Sequence, residues 1–204
     1  VLSGVYQWFS PISGSAPSTN LRFCSGLVHE FAALTLFLTL VRRQGRSLKD
    51  IGFAPRWLDL PKAAGLFALS YMAMAFVSGI IGYVYFFWTR TPYHFRNAQG
   101  IFAGASPIIL VLYMAAAPIF EETLVRGYLM TELIGLSWPA WLAALASVAL
   151  QTSYHLYYGL GGALSLGAGF VVSAIYFAKS RRLMPIILSH FLWDLTATYL
   201  NWHR

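Results

Sequence analysis

Six stretches of this chain, roughly 24–41, 62–88, 105–124, 139–156, 162–178 and 185–202, are apolar over lengths close to the 20 or so residues that carry a helix across a hydrocarbon core. A chain built this way has little choice of solvent. Its residues are 58% hydrophobic and only 10% charged, whereas an ordinary soluble domain is about one quarter charged. The expected fold is all-α: an integral membrane helical bundle of about six transmembrane helices, forming a single membrane domain over 1–204.

The formal net charge of +7 does not point to nucleic acid, because the basic residues collect in loops. Arg42, Arg43, Arg46, Lys49, Arg56 and Lys62 surround the connection between the first two segments, and Lys179, Arg181 and Arg182 lie between the fifth and sixth. Four crossings separate the two groups, so they belong on one side. The positive-inside rule makes that side cytoplasmic. Arg90 and Arg96 fall on the other face. The stretch 42–60 is too polar to cross and is expected to lie along the cytoplasmic surface.

Helix punctuation fits this picture. Asp59 is expected to cap the second helix with Pro61 in its first turn, Ser137 and Pro139 to do the same for the fourth, and Pro185 to open the sixth. Trp88, Trp138, Trp141, Tyr157, Tyr158, Tyr199 and Trp202 read as interfacial aromatics. GGALSLGAG, at 161–169, has the small-xxx-small spacing of close helix packing. The single cysteine, Cys24, is expected to pack as a small hydrophobe. Residues 1–23 read as a loop or interfacial segment without a cleavable signal peptide, and the start on Val1 implies that a leading segment was removed or omitted.

The polar residues inside the apolar segments carry the functional argument. The chain has just seven acids, and two are adjacent in PIFEETLVRG, the end of the third segment. Glu122 and Arg126, four apart, share a helical face and can pair. Glu121, turned about 100° away, lacks a partner in its own helix. Pro118 withholds the N–H that the Met114 carbonyl would accept, which is expected to kink the helix one turn before Glu121. His155 ends the fourth segment, and His190 lies in the sixth with Asp194 four residues on. Ionisable groups in such segments are functional by default. His29 and Glu30 are expected at the interface, and His94 and His203 in a loop and at the terminus.

A carboxylate and an imidazole sharing one water can activate it for attack on an amide, while a second pair of polar groups stabilises the oxyanion. That is peptide hydrolysis without a covalent intermediate, and no GxSxG motif offers a nucleophile. Glutamate and histidine are also zinc ligands, so a metalloprotease using Glu121, His155 and His190 stays open. So does a proton or ion relay in a transporter, although the chain has no visible internal repeat.

EETLVR matches EExxxR, the first signature of the CAAX prenyl protease and bacteriocin-processing family, also called abortive-infection-like. His155 falls where that family has FxxxH, with Gln151 at the phenylalanine position, and HFLWD resembles its HxxxN motif, with Asp194 in place of asparagine. The resemblance covers roughly 105–198, a family-like catalytic core. It implies a metal-independent glutamate protease without organic cofactor. Glu121 and His155 would activate the water, His190 with Asp194 would form the oxyanion site, and Glu122 and Arg126 would hold the site in shape. Gln151 is expected to alter packing beside His155 more than chemistry. The implied partners are the lipid bilayer and a membrane-associated peptide or protein substrate, in the plasma membrane of a bacterium. Some members of the family are immunity or scaffold proteins instead, which keeps a non-proteolytic role open.

Overall fold

The computed structural model describes residues 20–95 and 106–202. Of the expected loop over 1–23, residues 1–19 lie outside the described residues, as do Arg96, His203 and the side chain of Trp202, whereas 20–23 are helical and begin α1 instead. All six apolar segments form helices. Helix α1 is Asn20–Arg43, α2 is Asp59–Thr89 and α3 is Pro107–Glu122, which runs on as a wider π-helical stretch, Thr123–Met130, and a short α4, Thr131–Gly135. Helix α5 is Ala140–Tyr154, α6 is Gly159–Ser180 and α7 is Met184–Trp202.

By length and composition, four helical stretches are fit to cross a membrane: Phe23–Arg43, Asp59–Thr89, Pro107–Gly135 and Leu156–Ser180. The two that fall short are instructive. Helix α5 has only 15 residues, and α7 is made less apolar by His190, Asp194 and Asn201. The chain is an integral membrane protein whose polar side chains concentrate in particular helices.

Helix α2 packs on α6 and α7, α5 on α6, α1 on α3, and α3 on α7. Helix α2 is apolar all round; it buries Ala63, Leu66 and Ser70 and turns Met72, Phe76, Ile80 and Tyr83 outward, where lipid is the natural cover. The small residues of α6 do what their spacing implies. A methyl group added at Gly167 would lie 2.9 Å from Thr152 Oγ1, and one at Gly169 would lie 3.0 Å from Met74 Sδ. Helix α6 therefore sits close to both α5 and α2.

The loop after α1 folds into the bundle instead of lying flat on the surface. Ile51 is fully buried against Phe37 and Val41, and Phe53 packs against the main core, so the apolar residues within the polar run draw it inward. Asp50 turns the loop by accepting from the Ser47 N–H at 2.6 Å and the Ser47 hydroxyl at 2.8 Å, and these bonds hold its carboxyl below the usual range. Gly52 has φ +90°, and a Cβ there would stand 2.7 Å from the Arg181 carbonyl oxygen; only glycine fits. The Leu183 N–H donates to the Gly52 carbonyl at 2.9 Å, Arg182 pairs with Asp59, and Arg46 pairs with Glu132. The two basic loops thus meet at one end of the bundle, as the charge pattern implies.

Several local expectations are corrected. Asp59 is no cap: α2 starts at this residue, and its carboxylate accepts from the Arg56 N–H at 2.7 Å and from Arg182, so the cation from the other loop claims it. Pro139 precedes α5 and Ser137 has φ 66°, so neither hydroxyl nor ring caps that helix as expected. Tyr157 and Tyr158 leave the aromatic belt to surround His155, whereas Trp88, Trp138, Trp141 and Tyr199 are exposed as interfacial residues should be. Cys24 is exposed, because the inner face of α1 is set by Phe23 and Gly26, which meet Tyr113. Glu30 is half-buried, while His29 is exposed and His94 lies in the loop after α2.

Candidate active site

Pro118 lies inside α3, and one turn later the helix widens into the π-helical stretch at Thr123. Stretches of this kind carry i→i+5 hydrogen bonds and favour functional sites. Glu121 and Glu122 end α3 immediately before the widening, and Arg126 lies within it. The expected pair forms: Arg126 Nη1 stands 3.1 Å from Glu122 Oε2 and donates to Oε1 at 3.3 Å. Arg126 also donates from Nη2 to the Phe170 carbonyl at 3.4 Å and faces the Phe170 ring at 5.5 Å. Glu122 and Arg126 are 1% and 0% exposed.

Glu122 is held from two further directions. His190 Nδ1–H donates to Oε1 at 2.8 Å, and the Gln151 amide donates to the same oxygen at 3.4 Å. The His190 Nε2 atom is 3.7 Å from Asp194 Oδ1, outside hydrogen-bond range. Thus both faces of the His190 ring edge meet carboxylates, one bonded and one near.

Glu121 has partners from α5 that the sequence reading missed. Tyr154 donates its hydroxyl to Oε2 at 2.7 Å, and Gln151 donates to Oε2 at 3.2 Å. His155 donates from Nδ1 to the Gln151 carbonyl at 2.9 Å; a carbonyl can only accept, so the proton sits on Nδ1 and the Nε2 lone pair is left free. The His155 ring is set among Tyr154 at 4.8 Å, Phe170 at 5.0 Å and the two following tyrosines. Gln151 is therefore more than a packing substitute. Its side chain holds both glutamates and its carbonyl fixes the His155 tautomer. The signal was present in QTSYH: Gln151 and Tyr154 are three apart, on one helical face, in the last turn of α5.

Glu122, His155, His190 and Asp194 line a cavity of about 110 Å³ between α2, α6 and α7. Ser70, Tyr158 and Trp193 share its wall. Glu121 and Arg126 do not line it: Arg126 adjoins it through Glu122 and Phe170, and Glu121 is one step further away, linked through Gln151 to Glu122. Among the described residues no hydrogen bond joins Glu121 directly to His155; Gln151 is bonded to both. No three His, Cys, Asp or Glu side chains among the described residues are disposed to hold one metal ion, so Glu121, His155 and His190 do not form a zinc-type ligand set here.

Residues 103–196, a little under half of the chain, match the family model described as type II CAAX prenyl endopeptidase, Rce1-like. The match covers EETLVR, His155 and HFLWD, in agreement with the resemblance those motifs carry. No curated protein and no solved structure matches the chain.

Proposed function

We propose that the chain is an intramembrane endopeptidase of the CAAX type, hydrolysing a peptide bond of a membrane-associated protein or peptide. The observation that carries this reading is the convergence of Glu122, His155, His190 and Asp194 on one cavity within an apolar bundle, backed by the match of residues 103–196 to a prenyl endopeptidase family. A cluster this expensive in lipid requires a use.

The bonding pattern supports a division of roles. Glu122 already accepts from Arg126, His190 and Gln151, so it holds the site in shape. Glu121 spends Oε2 on Tyr154 and Gln151, and its Oε1 takes a proton from the attacking water, which also donates to His155 Nε2. The hydroxide adds to the amide carbonyl; the C–N bond then breaks and the proton passes from Glu121 to the leaving amine. Arg126 fixes Glu122, and Glu122 accepts from His190 Nδ1–H; with the ring doubly protonated between Glu122 and Asp194, Nε2–H supports the oxyanion. An ionised Asp194 can only accept, so its role is to orient His190. Activation by side chains alone is favoured over zinc because, among the described residues, no three His, Cys, Asp or Glu side chains lie close enough to share one metal ion. We assign the protein to the plasma membrane of a bacterium.

The test is proteolysis by the purified protein in liposomes on a panel of membrane-anchored peptides, prenylated and not. Glu121→Ala should lower kcat by about 10³-fold, within the range for loss of a general base, while EDTA and phenanthroline leave the wild type unchanged. Activity lost to chelator would transfer the role to a metal. A folded wild type that cuts nothing, in cells where Glu121→Ala still abolishes a phenotype, would make the cluster a binding or relay site.

A further inference from the structure

The cavity holds two hydrogen-bond donors that the proposed mechanism does not use. The Ser70 hydroxyl and the Trp193 indole N–H are buried and have no hydrogen-bond partner among the described residues, and both side chains line the cavity. Ser70 is 3% exposed and belongs to α2, outside the matched residues 103–196. It stands where α2 approaches α6: its Cβ is 3.6 Å from the position a methyl group would take on Gly169. Trp193 follows His190 on α7, and its ring is fixed by stacking on Tyr71 at 5.5 Å and by a tilted contact with Phe67 at 5.3 Å. Both donors are therefore preorganised by α2 packing.

Buried donors without partners are costly and rare, and two in one cavity beside His190 call for an acceptor that arrives. Neither group is a nucleophile. The tryptophan N–H can only donate, and His190 cannot serve as base for Ser70, since Nδ1–H is committed to Glu122 and Nε2 carries the proton it offers to the oxyanion. The acceptor must be small, uncharged or newly anionic, and able to take two donors at once. A peptide carbonyl oxygen, becoming an oxyanion as water adds, has these properties. The chain also needs such donors, because Asp194, when ionised, offers none.

We propose that Ser70 and Trp193 bind the scissile carbonyl oxygen of the substrate and, with His190, make up the oxyanion site. The proposal rests on the endopeptidase reading of this cavity. No step changes: the two donors keep their protons, and the negative charge that builds on oxygen as the C–O bond forms is shared between them.

The experiment combines kinetics with a signal independent of cleavage. Ser70→Ala and Trp193→Phe should each lower kcat by about 10²-fold, as loss of one oxyanion donor does, with KM changed less than about twofold because the donors act on the developing charge. Ser70→Cys, a weak donor of similar size, should recover part of that loss. In parallel, the Trp193 indole resonance, assigned by its disappearance in Trp193→Phe, should shift when the membrane-anchored peptides are added and shift less in Ser70→Ala. If the wild type cuts, Glu121→Ala does not, and Ser70→Ala retains wild-type kcat with an unmoved indole resonance, the donor pair is wrong and the protease reading stands. If the wild type cuts nothing while the resonance still shifts in a Ser70-dependent way, proteolysis is wrong and the carbonyl-binding pair stands. Neither cleavage nor shift overturns both.

Discussion

Two buried guanidinium–carboxylate pairs in this molecule are built to different standards. Arg182 donates to Asp59 at 2.6, 2.8 and 3.2 Å and to the Ala54 carbonyl at 3.1 Å, and Asp59 also takes the Arg56 N–H. That pair is short and many-bonded, and it joins two loops. Arg126 and Glu122 are more deeply buried, yet their hydrogen bond is 3.3 Å, and among the described residues Arg126 Nε has no partner and Glu122 Oε2 accepts no well-aligned hydrogen bond. The second pair borders a cavity and shares Glu122 with His190. The pair that joins the loops is bonded tightly, while the pair beside the cavity keeps bonding capacity in reserve.

That contrast can be broken from either side. The largest effect is expected from Arg126→Met, which strands Glu122 as an uncompensated buried charge. Unfolding of the purified protein in detergent should reveal a loss of about 3–5 kcal/mol, with cleavage abolished in the molecules that remain folded. Equal stability of Arg126→Met and wild type would mean that the cavity neutralises Glu122 by other means. A smaller loss, about 2 kcal/mol for hydrogen bonds to a charged group, is expected from Asp59→Asn. Its kcat should equal that of the wild type, and a tenfold fall would make the loop staple part of the site. The smallest effect sharpens the distinction within the site itself. Tyr154→Phe removes the 2.7 Å donor from Glu121 and should reduce kcat by about tenfold, equivalent to about 1.4 kcal/mol, without altering the unfolding temperature. An unchanged rate would leave Gln151 as the only α5 side chain that matters to Glu121.

Much of the fold was legible because lipid leaves few options: apolar segments of the right length became helices, and the two basic loops met at one end. The local capping of α2 was not, since Asp59 answers to Arg182, 123 positions away, and no reading confined to one helix sees such a partner. The site residues Glu122, His155, His190 and Asp194 could be found from the cost of ionisable groups in apolar runs and from the motifs. Gln151 was misread because the phenylalanine of the motif invites a packing explanation, although an amide beside two carboxylates is drawn to both. Ser70 was invisible for a different reason. A serine in a long apolar helix is common enough to pass without notice, and only the approach of α6 gives it a setting. The π-helical stretch has no mark in TLVRGYLM either, since the pairing of Glu122 with Arg126 is the same one an ordinary helix would make.

Helix α5 has 15 residues, about 22 Å of rise against a hydrocarbon layer near 30 Å. It stops at His155, and the chain turns back through Leu156–Tyr158 into α6. Lipid around so short an element must thin, or polar backbone must be wetted where the turn is made. On the endopeptidase reading the reaction needs water that hydrocarbon excludes, and a helix this short, with His155 directly after its last residue, offers a route by which solvent meets the histidine.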